Sequence, residues 1–310
     1  MNKKYFYTIN YPVYEKELCN MEMKYLFNGI PKDRYFFSCN DIEPSISPFI
    51  KDRIDILYVE ENLSDIVNKV VNEGLSYQNF KICFIKIEDT DLDYKERLES
   101  IRKIGLVING QSEMHNPDIT LALTKVDGKW IFGEYQRNDY LWHIHDNKPC
   151  TYSNSIGIRS ARAIVNIATQ NDKNRKIVDP CCGVGTLVIE GLSMDINIKG
   201  YEIKKTIASN ARRNLEFFGF DKDKIKCGDI HQIKEKYDVA IIDLPYGLFT
   251  PVTPEEQAKI IMSAAKISEK LVLVSFEDMS EQIENAGFKI VDRCKVSKGK
   301  FTRNIDICCK

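Results

Sequence analysis

No apolar run in this chain of 310 residues approaches the roughly 20 needed for a helix to cross a bilayer, so no membrane-spanning segment is expected. The first ten residues, Met1 to Asn10, lack a sustained apolar stretch or a small-residue cleavage site. They do not read as a secretory signal, and the chain is expected to be cytoplasmic. Excess charge of one sign is also missing. The net charge of -1 does not advertise a polyanionic partner, although local basic clusters bind phosphate without making a whole chain basic. Ten cysteines are present, but no C-x-x-C. They are scattered (Cys19, Cys39, Cys83, Cys150, Cys227, Cys294) or adjacent (Cys181-Cys182, Cys308-Cys309), which reads as buried reduced thiols and gives no positive signal for zinc. Internal repeats and low-complexity segments are absent.

What is present is an ordinary globular composition, 43% hydrophobic and 29% charged, with length enough for about two domains. In the first half, residues 5–11, 34–38, 54–59 and 80–87 read as strands. Residues 14–27, 62–73 and 94–104 carry apolar side chains at helical spacing and stop at Gly29, Gly74 and Gly105. Residues 119–126 and 129–135, joined by Asp127-Gly128, predict a hairpin. Residues 138–155 lack periodicity and read as the connection between domains, with His143 and His145 in structural roles. Residues 158–169 predict a helix, with Arg159 and Arg162 near its start facing either a ligand, an RNA phosphate or plain solvent.

From Lys176 onward, apolar strands at 176–179, 197–202, 224–227, 239–243 and 270–276 alternate with helices at 185–194, 206–218, 254–268 and 279–286. That alternation predicts a parallel sheet covered by helices. A terminal hairpin, 289–296 and 301–308, follows. Two strand ends stand out, since open α/β sheets bind ligands at the carboxyl ends of their strands. One is Asp179-Pro180-Cys181-Cys182-Gly183-Val184-Gly185-Thr186, where glycines permit close backbone approach and Thr186 starts a helix whose free amides favour an anion. A dinucleotide fingerprint needs a third glycine where Val188 stands, so NAD and FAD are disfavoured.

Glu202 ends the next strand, placed to accept two ribose hydroxyls, with Ile203 beside it. Asp229 ends the strand after that, placed to accept an adenine amino group while the Ile230 amide donates to the ring. Asp179 would face a cationic amino group. Three acids at successive strand ends suit S-adenosylmethionine, which is cationic and lacks phosphates, with Cys181, Gly183, Gly185 and Thr186 completing the cofactor set.

The other strand end is Asp243-Leu244-Pro245-Tyr246-Gly247. An exocyclic amine on a base is a poor nucleophile because its lone pair is delocalised. Accepting its two protons with the Asp243 carboxylate and the Leu244 carbonyl would localise that lone pair as charge develops. Pro245 fixes the backbone that turns the carbonyl inward, and Tyr246 can stack on the base. The tetrapeptide resembles the amino-methyltransferase pattern of acid or amide, any residue, proline, aromatic.

The element order of the first half, with Asn116-Pro117-Asp118 leading into its hairpin, resembles a THUMP RNA-binding module preceded by a ferredoxin-like region. The second half, with D-P-x-C-G-x-G-T-x-x-I-E at Asp179 to Glu190 and D-x-P-Y-G at Asp243 to Gly247, is similar to the THUMP-associated tRNA guanine-N2 methyltransferases. Leu244 stands where many amino-methyltransferases have a second proline. The resemblance implies an α/β fold: a Rossmann-like class I methyltransferase domain at 148–310, with a mostly parallel seven-stranded sheet and terminal antiparallel hairpin, preceded by a smaller THUMP-like α/β domain at 1–147. It also implies tRNA as substrate, guanosine 10 as target and S-adenosylmethionine as cofactor. The short first domain leaves room for a small activating partner subunit, and Lys298, Lys300 and Arg303 are candidate phosphate contacts. Two other readings compete: an adenine-N6 methyltransferase, because the same tetrapeptide handles that amine, and an RNA-binding protein that keeps the cofactor pocket without catalysis.

Overall fold

Asp127 and Gly128 both take positive φ, 50° and 76°, the backbone that two-residue hairpin turns require, and the strands they join are paired as their alternation predicts. The structure, a computed structural model, describes residues 3–88, 90–151, 155–245, 252–298 and 301–310. In chain order its first part contains β1 (Tyr5–Ile9), α1 (Lys16–Phe27), β2 (Tyr35–Ser38), β3 (Ile50–Glu60), α2 (Leu63–Asn72), β4 (Phe80–Phe84), α3 (Tyr94–Gly105), β5 (Ile119–Val126) and β6 (Lys129–Arg137). The second contains α4 (Ile158–Thr169), β7 (Ile177–Asp179), α5 (Thr186–Ser193), β8 (Ile198–Glu202), α6 (Lys205–Phe217), β9 (Ile225–Cys227), β10 (Tyr237–Asp243), α7 (Pro254–Ile267), β11 (Ser268–Ser275), α8 (Ser280–Asn285), β12 (Lys289–Lys298) and β13 (Phe301–Cys309).

Two units result. The first comprises residues 1–10, 31–45 and 49–139; the second comprises 11–30, 46–48 and 140–310. The boundary expected at 147/148 therefore falls at 139/140, and α1 joins the second unit. The reason is in its buried face, where Leu18, Met21, Met23 and Leu26 sit beside Glu22. Asn166 of α4 donates to Glu22 at 2.6 Å, and so does the Ser47 hydroxyl. These bonds tie α1 and the 46–48 segment to α4. Helical periodicity shows that a face is buried but not which surface buries it.

The first unit is a six-stranded sheet in the order β2-β1-β3-β6-β5-β4. Only β4 and β5 pair in parallel, joined through α3 as a βαβ unit. Ile66, Val70 and Ile104 from α2 and α3 pack with Tyr58, Phe80, Leu121 and Phe132 of the sheet. The strand expected over 80–87 ends at Phe84. A buried guanidinium, Arg53, is held in the same unit by Asp55 at 2.6 Å.

The second unit is a seven-stranded sheet in the order β12-β13-β11-β10-β7-β8-β9. Five strands run parallel, and β13 pairs antiparallel with both β11 and β12. Strand order reverses direction at β7, whose neighbours are β8 on one side and β10 on the other, which places the ligand crevice at the carboxyl ends of β7 and β10. Among the described residues no helix is long and apolar enough to cross a membrane.

Candidate active site

The crevice is a cavity of about 460 Å³, formed entirely within the second unit. Asp179, Glu202, Asp229 and Asp243 all reach it, because each lies at or just beyond the carboxyl end of a strand. The turn after β7 is built on β8: the Cys182 amide donates to the Tyr201 carbonyl at 2.8 Å and the Gly183 amide to Glu202 at 3.1 Å. Gly183 has a φ of 52°, the left-handed backbone that glycine adopts without a Cβ clash.

Cys182 is a buried packing residue. A Cβ on Gly200 of β8 would come within 2.7 Å of Ile225 and 2.9 Å of both the Cys182 sulfur and Val188, so the close packing of these side chains on the strand requires glycine there. Gly185, expected to give a ligand close approach, does not line the cavity. It lies at the start of α5 with a φ of 86°, the left-handed backbone that glycine adopts without strain, while a Cβ there would only touch Leu215 and Ala211 of α6 at 3.4 and 3.5 Å.

Both Glu202 oxygens are engaged, one by Gly183 and the other by the Lys204 amide at 2.8 Å. Each keeps a second acceptor position, since a carboxylate oxygen carries two lone pairs. Asp229 accepts the His231 amide at 3.0 Å, which shapes a short 3-10 turn. Ile230 in that turn is buried, while Ile203 stands 64% exposed at the cavity wall.

Asp179, 2% exposed, accepts the Cys181 amide at 3.2 Å. Burial pushes its carboxyl well above the usual carboxylate range. The Cys181 amide opposes that shift, and the neighbouring charges of Asp243 and Glu202 add to it. Burial likewise raises the Cys181 thiol, with the surrounding acids contributing. Asp243 is pushed up to about 6 by burial, with Arg303 as the opposing cation.

Leu244 and Pro245 also line the cavity. The Leu244 amide donates to the Val274 carbonyl at 2.9 Å. Tyr246 and Gly247 lie outside the described residues, as does Lys300; Lys298 is the last residue of β12. Arg303 has its guanidinium 4.9 Å from the Phe276 ring centre.

The remaining charged candidates have internal partners. Arg162 is buried and donates to Glu190 at 2.9 Å and to Ser193 at 3.0 Å. It faces neither ligand nor solvent, because Glu190, itself fully buried, requires a cation beside it. Arg159 pairs with Glu15 at 3.0 Å. His145 is within 2.7 Å of the other Glu190 oxygen, and His143 stacks on Trp142 with ring centres 3.8 Å apart. Sequence reasoning missed Ser155, which it assigned to the connection, Ile156, which it assigned to no element, and His231, whose Nδ1 lies 2.7 Å from the Ser263 hydroxyl. All three line the cavity. His231 could have been found from its place two residues after Asp229 in the same 3-10 turn, whereas no local signal marks Ser155 or Ile156.

The donor set fits S-adenosylmethionine. Asp179, Glu202, Asp229, Asp243 and Glu256 gather carboxyl groups on one cavity, a lining suited to a cationic ligand. Thr186 Oγ1 is buried without a hydrogen-bond partner among the described residues, a donor suited to the ligand's carboxylate. Apolar walls at Ile203 and Ile230 suit a flat base.

A sheet of this order, closed by an antiparallel hairpin and carrying acids at successive strand ends, is the architecture expected of a class I methyltransferase domain. Residues 146–261 match the family UPF0020, described as the RMKL-like methyltransferase domain. The chain is 25% identical over 252 residues to a tRNA (guanine(10)-N2)-dimethyltransferase of Pyrococcus abyssi, covering 75% of each protein. It is 29% identical over 115 residues to the enzyme of the same name in Methanothermobacter thermautotrophicus, covering 36% of this chain and 34% of that one. Among solved structures, TrmN from Thermus thermophilus aligns over 99% of both chains at 13% identity, with a TM-score of 0.49.

Proposed function

We propose that the protein transfers methyl groups from S-adenosylmethionine to the exocyclic N2 amine of a guanosine in tRNA, guanosine 10 being the position supported by the names of its relatives. The observation that carries this reading is the meeting of Asp179 and Asp243, from the adjacent strand ends of β7 and β10, on one cavity that Glu202 and Asp229 also line. When bound there, S-adenosylmethionine supplies an electrophilic methyl group.

The chain's own residues do the rest. Asp179 pairs with the amino group of the methionine moiety, Thr186 and the turn amides hold its carboxylate, Glu202 accepts the ribose hydroxyls, and Asp229 accepts the adenine amine. Asp243 and the Leu244 carbonyl accept the two protons of the guanine amine, pyramidalising the nitrogen. Such acceptors stabilise most strongly the state in which positive charge develops on that nitrogen. Asp243 is placed to take the proton released after transfer. Tyr246 stacks on the base, and the first unit binds the tRNA body, as a THUMP-like module would. On this reading the protein works in the cytoplasm, where its tRNA substrate would be met.

Incubation of the purified chain with labelled S-adenosylmethionine and tRNA lacking the modification, followed by digestion to nucleosides, tests the reading. Label in N2-methylguanosine is expected. Label in N6-methyladenosine would replace guanine by adenine as the target, and RNA binding without label would remove catalysis. Activity of the chain alone would make a partner subunit unnecessary.

A further inference from the structure

The Leu244 carbonyl belongs to the peptide joining Leu244 to Pro245, and its direction depends on the peptides on either side. The preceding one is pinned, since the Leu244 amide donates to the Val274 carbonyl of β11 at 2.9 Å. The following one is pinned from another element: Gln257 Nε2 donates to the Pro245 carbonyl at 2.9 Å. Only the amide nitrogen of a glutamine side chain can face a carbonyl oxygen, so the orientation of the group is set by its partner. Proline removes the remaining backbone freedom by fixing φ.

Gln257 is itself held firmly. Its own amide bonds the Thr253 carbonyl at 3.0 Å, and α7 begins with a Thr253–Glu256 capping box and Pro254 in its first turn. Its side chain is half-buried. Among the described residues its side-chain amide bonds the Pro245 carbonyl, a donor aimed at the tetrapeptide backbone.

We propose that Gln257 is a positioning residue for methyl transfer, fixing through the Pro245 carbonyl the backbone that aims the Leu244 carbonyl at the incoming amine. This rests on the reading of Asp243 to Tyr246 as the amine-binding turn. It acts on the orientation of an acceptor and not on cofactor binding, so it should appear in kcat.

The test compares wild type with Gln257→Met, which keeps length but has no donor, Gln257→His, whose Nε2–H reaches a similar distance, and Asp243→Ala. Methyl transfer to tRNA lacking the modification and binding of S-adenosylhomocysteine are measured for each. Gln257→Met should lose about tenfold in kcat, the equivalent of one hydrogen bond in the transition state, while affinity for S-adenosylhomocysteine and thermal midpoint stay at wild-type values. Gln257→His should recover most of the loss. Wild-type kcat in Gln257→Met, with Asp243→Ala inactive, overturns the inference and leaves the functional reading standing. Parallel losses of kcat, affinity and thermal midpoint in Gln257→Met, without recovery by histidine, also overturn it, because they mark a structural role. Wild-type transfer by Asp243→Ala would overturn the functional reading itself.

Discussion

The Gly183 amide donates to one carboxylate oxygen of Glu202 across 3.1 Å, so the side chain proposed to accept the ribose hydroxyls also builds the turn at the end of β7. Glu202→Ala therefore removes a ligand contact and a support for the turn together. Its affinity for S-adenosylhomocysteine should fall by about tenfold to a hundredfold, the range of one hydrogen bond to a charged group. Titration calorimetry measures this, with circular dichroism confirming that the fold is retained. Unchanged affinity would remove the ribose assignment.

On the proposed mechanism Asp243 sets the acid limit of activity. Burial raises its carboxyl to about 6, and only the ionised form accepts both the hydrogen bond and the proton. The value kcat/KM should therefore fall as pH drops below about 6 and level off roughly one unit above it. Arg303 opposes the rise, so Arg303→Met should move the acid limb to higher pH. Asp243→Asn should cost on the order of a hundredfold or more in kcat at every pH.

The strand-end acids and the glycine turn were legible in the sequence because each is encoded locally: an apolar run, then a carboxylate, then residues that permit a turn. What brings Ser155 to the cavity that Asp179 and Asp243 line, and Gln257 to the Pro245 carbonyl, is tertiary packing, which joins residues distant in the chain. Arg162 was read as facing a ligand or solvent because charge on a helix usually does; only the Glu190 carboxylate across from it explains its burial. The grouping of α1 with the second unit has a related cause. Its apolar stripe predicted burial, but the polar partner that decides where, Asn166, lies far along the chain.

Glu190 is the centre of a structural ion cluster, accepting from Arg162 at 2.9 Å and contacting His145 at 2.7 Å. Glu190→Ala leaves the Arg162 guanidinium buried without its carboxylate, and stability should fall by about 3–5 kcal/mol. Urea unfolding of the second unit would show this as a lower midpoint at unchanged slope.

Glu22 gives stability a pH dependence. Burial raises its carboxyl from 4.5 to about 7, with Asn166, Ser47 and Arg162 opposing. Between those values the unfolded chain releases the proton while the folded chain retains it, so this group lowers stability progressively as pH rises, and the deficit is constant above about 7. Glu22→Gln can accept from Asn166 and donate to Ser47 without that deficit. Relative to wild type it should gain stability with rising pH, by on the order of 3 kcal/mol at most. Thermal melts of both proteins at pH 4.5, 6 and 8, values bracketing the shift, measure the divergence; parallel curves would show that Glu22 titrates normally.

Inosine differs from guanosine by the absence of the exocyclic amine, so it isolates the atom that Asp243 and Leu244 are proposed to receive. A tRNA with inosine in place of guanosine 10, the position named for the relatives, should bind but take no methyl group, while the matched guanosine tRNA is methylated at N2. Equal methylation of the two tRNAs would contradict the account.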